Sequence, residues 1–259
     1  MSYPFKLRYF YLHEGNRSRA RNLGAQEAQS DRLVFLDADI ALPTDWFQQL
    51  DFYWTGSVDV IQGSIIPSSQ VNNHLQRLRL WRGMNAAVIP FLLFTHPLVK
   101  KRVINSSCFG IDRKLFHQNE GFDLTFTRHE DLDFTQRLIR HPCRIRIVQK
   151  LRVQVFYSGS YFDYYKREFE CGFHIVRFHE KWSNTCFSKA ILSWMSHMLQ
   201  LLKVSPERSK GFRRIENKFL LFTFLTGSLF GLFKKTIHPY SYPPNQFDEK
   251  KIKAQVELL

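Results

Sequence analysis

The chain has 259 residues, with 37 lysines and arginines against 23 aspartates and glutamates, a formal net charge of +14. Hydrophobic residues at 44% are enough to build a packed core, which excludes an intrinsically disordered chain. The positive balance favours a polyanionic partner (nucleic acid, an anionic membrane face or a phosphorylated substrate) and does not choose among them.

In chain order, "LRYFYL" (Leu7 to Leu12) predicts a short strand. "GNRSRARNLGAQEAQ" predicts a helix, because Ala20, Leu23, Gly24 and Ala28 fall on one small or apolar stripe. "DRLVFL" reads as a buried strand, and "PTDWFQQLDFYW" as a helix with Thr44 at its N-cap. "SVDVIQG" is a further strand. Residues Asn72 to Pro97 are expected to be helical with loops. "VINSSCFGIDRKLF" reads as strand, turn and short helix, "GFDLTFTRHEDLDFTQRLIRH" as a loop entering a helix, and "CRIRIVQ" as an alternating strand. This alternation predicts an α/β sheet with helical cover. From about Ser160 onward the pattern is helical, with no clear strand, and no internal repeat is present.

Two late segments, "AILSWMSHMLQLL" (Ala190 to Leu202) and "FLLFTFLTGSLFGLF" (Phe219 to Phe233), are mostly apolar. Each is shorter than the roughly 20 residues of a spanning helix. Between them, Lys203 to Lys218 holds six basic and two acidic residues. Apolar segments edged with lysine and arginine suit an interfacial anchor on an anionic leaflet; a buried helical hairpin has the same pattern. The four cysteines, Cys108, Cys143, Cys171 and Cys186, form no C-x-x-C pair, which argues against a zinc site or disulfide framework and for a reducing cytoplasm. No long apolar run follows the first charges of the N-terminus, so no signal peptide is expected.

Three polar clusters carry the chemistry. Asp37 and Asp39 directly follow "LVFL". An Asp-x-Asp at a strand's carboxyl end is a common turn, and it is also where a hard divalent cation finds oxygen ligands beside a substrate phosphate. "RHEDLDF" holds Glu130, Asp131 and Asp133 at a helix start, where carboxylates either complement the dipole or serve as a general base. Asp133 and Arg137 have the spacing of an i,i+4 pair. Arg17, Arg19 and Arg21 alternate, so a helix spreads them over different faces; each is a solvated cation or a phosphate contact.

Taken in order, "RSRARNLGAQEAQSDRLVFLDAD", "GFD" and "HEDLDFTQRL" resemble the family 2 glycosyltransferases of the GT-A fold over roughly residues 7 to 150. The resemblance implies a Rossmann-like, mostly parallel mixed sheet with helices on both faces at residues 1–158, and a helical, basic and apolar region at 159–259 at the membrane surface or acceptor side. It implies that Asp37 and Asp39 hold the diphosphate of a nucleotide-sugar through Mg²⁺ or Mn²⁺, with Asp39 the metal ligand and Asp37 near the ribose or metal. It further implies Asp131 as general base, Glu130 as its neighbour in the catalytic pair, Arg21 on the donor side, and an inverting transfer. The acceptor is expected to be a saccharide or a lipid-linked one, in cell-surface polysaccharide or glycolipid synthesis. The place is expected to be the inner face of the cell membrane, with the chain bound peripherally.

The chain departs from the family pattern at both ends. The family's opening strand, turn, helix and second strand are expected to be missing before residue 1, an N-terminal truncation that leaves a sheet edge open. An inactive fragment, or a subunit needing an N-terminal partner, is the alternative function. The Gln-x-x-Arg-Trp motif of processive members is absent, with only "FHEKW" (Phe178 to Trp182) in its place, so a single-addition enzyme is expected. His174 and His179 are either ordinary helix residues or acceptor- or metal-side groups. Nucleic acid is not expected as a partner, since no matching module accompanies the charge.

Overall fold

A computed structural model describes residues 6–13, 15–67, 104–156, 160–182, 223, 225–231 and 256–258. The expected helices at Asn72 to Pro97 and Ala190 to Leu202, and the basic stretch Lys203 to Lys218, lie outside the described residues.

Strand β1 (Phe10–Leu12) precedes helix α1 (Arg17–Glu27) and strand β2 (Arg32–Leu36). Asn16 caps α1, its side chain accepting from the Arg19 amide at 3.1 Å. A two-residue strand β3 (Ile40–Ala41) leads to α2 (Trp46–Tyr53) and β4 (Val60–Pro67). The N-cap of α2 is Asp45 rather than Thr44, and its side chain makes no capping bond. Then come β5 (Cys108–Asp112), α3 (Arg113–Gln118), α4 (Glu130–Leu138), β6 (Ile145–Val155) and α5 (Tyr161–Trp182). A last strand, β7 (Val256–Leu258), pairs antiparallel with β1, so the C-terminal region is not free of strand; three residues leave no periodicity to read.

The main sheet has the order β2-β5-β4-β6-β3. It is mixed, as expected, but less parallel than the expectation. β2, β4 and β6 point the same way, yet β5 inserts between β2 and β4 reversed, and only the β4–β6 ladder is parallel. β2 is an edge strand among the described residues. It therefore buries Leu33 and Phe35 on one face and leaves Val34 and Leu36 partly exposed, rather than being buried throughout.

Helices cover both faces. On one, α1, α3 and α4 pack Ala25, Phe116, Phe134 and Leu138 against Leu33, Phe35, Val60, Phe109 and Ile111. Phe35 and Phe109 stack at 4.8 Å between centroids, and Phe122 and Phe134 lie 4.8 Å apart beneath them. On the other face, α2 lays Trp46, Leu50 and Trp54 on Ile61, Cys108 and the β6 residues Val148, Leu151 and Val153. Gly110 belongs there for a steric reason: a Cβ would lie 2.4 Å from the Trp54 ring. Helix α5 forms a third cluster, with Ile175, Val176 and Phe178 closing over Phe126. The described part of the second apolar segment, residues 225–231, is helical and packs on α5, where a Cβ on Gly227 would clash with the Phe169 carbonyl.

Candidate active site

The Asp-x-Asp lies where β2 runs out. The ladder ends at Leu36 opposite Cys108, and Asp37 is the next residue. Its Oδ1 accepts from Arg21 Nη2 at 2.7 Å and its Oδ2 from Ser107 Oγ at 2.5 Å. Burial works against ionising Asp37 and is the largest single influence. The Ser107 hydroxyl and the Arg21 charge together outweigh it and hold the carboxyl below its ordinary value. Asp39 sits in the turn before β3, where its backbone carbonyl accepts from the Phe156 amide at 2.8 Å. It forms no ion pair with a described residue, and its pKa is pushed up, first by partial desolvation and then by the charge of Asp37.

Arg21 is the centre of the arrangement. Its Nη1 donates to Glu130 Oε1 at 2.9 Å while Nη2 holds Asp37, so one guanidinium ties the end of β2 to the start of α4. The side chains are 12% exposed for Arg21, 32% for Asp37 and 7% for Glu130, so this is a shielded bridge. Its guanidinium also lies 5.5 Å from the Phe122 ring centre. Burial opposes the Arg21 charge, and the two carboxylates more than restore it. The expected donor-side arginine thus has both terminal nitrogens engaged with protein carboxylates. The next residue, Asn22, clamps the Gly-Phe-Asp loop. It donates to the Phe122 carbonyl at 2.7 Å and accepts from the Phe122 amide at 2.8 Å. Arg17 lies one helical turn before Arg21 on the same side of α1. Partial desolvation first and the charge of Arg128 second lower its pKa, against the pull of Glu130 and Asp37.

Three carboxylates open α4, and they differ. Glu130 is held by Arg21. The Asp131 carboxyl accepts from the Leu132 amide at 2.9 Å. Its pKa is pushed up to about 7, by burial first and by the charge of Glu130 second, against the pull of Arg21. A carboxyl poised there exchanges protons near neutral pH, as a general base requires. Asp133 is fully buried and structural. It accepts from Arg137 Nε at 3.0 Å, from Trp182 Nε1 at 3.0 Å and from Lys181 Nζ at 2.7 Å.

Helix α5 braces this segment. Lys181 also reaches Asp123 Oδ2 at 2.7 Å, and Arg128 pairs with Glu170 at 2.6 Å. His129, immediately before Glu130, has a left-handed backbone with φ of 65°, a strained state for this residue, and its Nε2 lies 2.9 Å from the Cys171 carbonyl. His174 meets Thr127, with Nε2 2.7 Å from Oγ1, rather than either aspartate; burial first, then His129, lowers its pKa to about 4. The side chain of His179 lies outside the described residues.

The structure therefore brings together Asp37, Arg21 and Glu130 by direct contact, with Asp39 two residues from Asp37 and Asp131 next to Glu130. Local patterns do not reveal Ser107, which only the long-range register places beside Asp37, or Lys181 and Trp182, which reach Asp133 from α5. Among the described residues no group of three or more His, Cys, Asp or Glu side chains could hold a metal ion. The donor set on hand is two neighbouring carboxylates, and Asp39 forms no ion pair with a described residue. That suits a hard cation shared with substrate phosphates.

Comparison with known proteins bears on the fold that carries this site. The family model described as "Glycosyl transferase family 2" matches residues 1–119. A similar solved structure is the mannosyltransferase PcManGT from Pyrobaculum calidifontis in complex with GDP-Man and Mn²⁺. It aligns with a TM-score of 0.52 at 11% identity, over 86% of this chain and 68% of that one. No curated protein matches the chain.

Proposed function

We propose, from the premise that this chain carries a family 2 glycosyltransferase domain of the GT-A fold, that it is a metal-dependent, inverting enzyme acting on a nucleotide-sugar. The observation that carries the reading is the Arg21 bridge, which gathers the Asp-x-Asp and Glu-Asp carboxylates at the end of β2. Asp39, with Asp37 beside it, is the site for Mg²⁺ or Mn²⁺. The ion, when bound, supplies positive charge against the leaving diphosphate. Asp131 takes the proton from an acceptor hydroxyl. That oxygen then bonds to the anomeric carbon as the bond to the diphosphate breaks, inverting the centre. Arg21 pairs with Glu130, and the charge of Glu130 raises the proton affinity of Asp131.

The solved neighbour's ligands make GDP-mannose with Mn²⁺ the first donor to test. Titration calorimetry with Mn²⁺ and a panel of nucleotide sugars should give heat for at least one donor, and the Asp39→Ala variant should lose it. No heat with any donor would favour the non-catalytic subunit instead.

The acceptor is a saccharide or a lipid-linked sugar at an anionic membrane surface. This rests on the basic stretch Lys203 to Lys218 and on exposed Phe162, Leu229 and Phe230, with Phe230 packed 5.7 Å from Phe169 of α5. Among the described residues no helix is long and apolar enough to cross a membrane. Sedimentation with anionic vesicles at low salt, lost at about 0.5 M salt, is the expected result. Equal recovery with neutral vesicles would contradict it.

A further inference from the structure

Resting on the reading of Asp37 as part of the donor site, we propose that Ser107 is a positioning residue for glycosyl transfer. The β2–β5 ladder ends at Leu36 opposite Cys108, so the next pair outward sets Asp37 opposite Ser107. The two residues are joined twice. The Asp37 amide donates to the Ser107 carbonyl at 3.3 Å, and the Ser107 hydroxyl donates to Asp37 Oδ2 at 2.5 Å. With Arg21 on Oδ1, both carboxylate oxygens are engaged from opposite sides and the plane of the group is fixed. Each oxygen still has a lone pair for a ligand. A donor arriving at such a site meets a carboxylate that needs no reorganisation.

Ser107 is itself held. Its amide donates to Asn105 Oδ1 at 3.0 Å, and the Asn105 amide donates to Gln62 Oε1 at 2.8 Å. Gln62 is buried in β4, and its Nε2 donates to the carbonyls of Gly63 at 2.7 Å and Cys108 at 2.8 Å. At the other end of the loop, the Ile104 amide donates to Thr135 Oγ1 at 3.1 Å. That hydroxyl donates to the Asp131 carbonyl at 2.7 Å. Residues 104–107 therefore form a strap from the helix that carries Asp131 to the carboxylate of Asp37. Asp37 and Ser107 are only half-buried, so water can replace the lost bond for folding. Water does not fix the carboxylate in one plane, and the loss falls on ligand binding.

The test is calorimetric affinity for the nucleotide sugar that the native chain binds with Mn²⁺, beginning with GDP-mannose, in Ser107→Ala and Ser107→Thr. Ser107→Ala should bind donor about 10–100-fold more weakly. Its melting temperature should stay near that of the native chain, and its KM for acceptor should not change. Ser107→Thr keeps the hydroxyl and should restore donor affinity. Native-like affinity in Ser107→Ala, or equal loss in both variants, overturns the positioning role while leaving the donor site in place. Absence of donor binding by the native chain overturns the functional reading and this inference together.

Discussion

At the scale of single residues, charge is placed by its neighbours rather than by its own position. Asp37 and Asp39 are one residue apart and behave oppositely. Asp37 is held down by Ser107 and Arg21, while Asp39 is raised by burial and by Asp37 itself. Arg21 pairs with Glu130, and the neighbouring Asp131 rises to about 7, by burial first and by the charge of Glu130 second. The sign of this last shift matters. A carboxyl raised in the folded state resists ionising there, so the folded protein gains stability as pH falls from above 7 toward the ordinary carboxylate range. The form that the proposed base role requires is the ionised one, which dominates only above about 7. Function and stability therefore pull Asp131 in opposite directions. The carboxylate clusters that the fold gathers were legible in the sequence, because Asp-x-Asp after an apolar run and Glu-Asp at a helix start are local patterns. That Arg21 faces two carboxylates was not, since Glu130 is 109 positions away and only folding brings it near. Ser107 gave no local signal at all.

At the scale of elements, the site is the meeting of two ends braced by a third piece. The end of β2 and the start of α4 approach each other through α1, whose Arg21 and Asn22 reach the carboxylates and the loop before α4. Helix α5 then holds that loop and α4 in place. Lys181 sits between Asp123 and Asp133, both nearly or fully buried, and is itself 20% exposed. Removing it leaves Asp123 without an ion-pair partner among the described residues, while Asp133 keeps Arg137 and Trp182. Lys181→Met should therefore destabilise by about 3 kcal/mol, the lower end of the cost of stranding a buried charge. Urea unfolding would measure this, and a loss under about 1 kcal/mol would mean that the brace is not formed. Helices and strands with clear periodicity were legible at this scale. The reversed insertion of β5 was not, because strand direction in a sheet is set by long-range pairing. β3 and β7, at two and three residues, are too short to carry a pattern.

At the scale of the whole molecule, alternation of strand and helix was enough to give an α/β sheet covered on both faces. The same fold persists in a mannosyltransferase sharing 11% of its residues. Against that common frame the net charge of +14 and the apolar C-terminal segments are features of this chain, and they direct the proposed chemistry toward an anionic surface. The central claim is that the gathered carboxylates transfer a sugar, with Asp131 as the base. The most direct measurement is release of nucleoside diphosphate from the donor, with Mn²⁺ and a panel of saccharide acceptors, by the native chain and by Asp131→Asn from about pH 5 to 9. The native kcat/KM should fall about tenfold per pH unit below about 7, and Asp131→Asn should be slower by at least about 100-fold while still binding donor. Turnover by Asp131→Asn at the native rate would contradict the account.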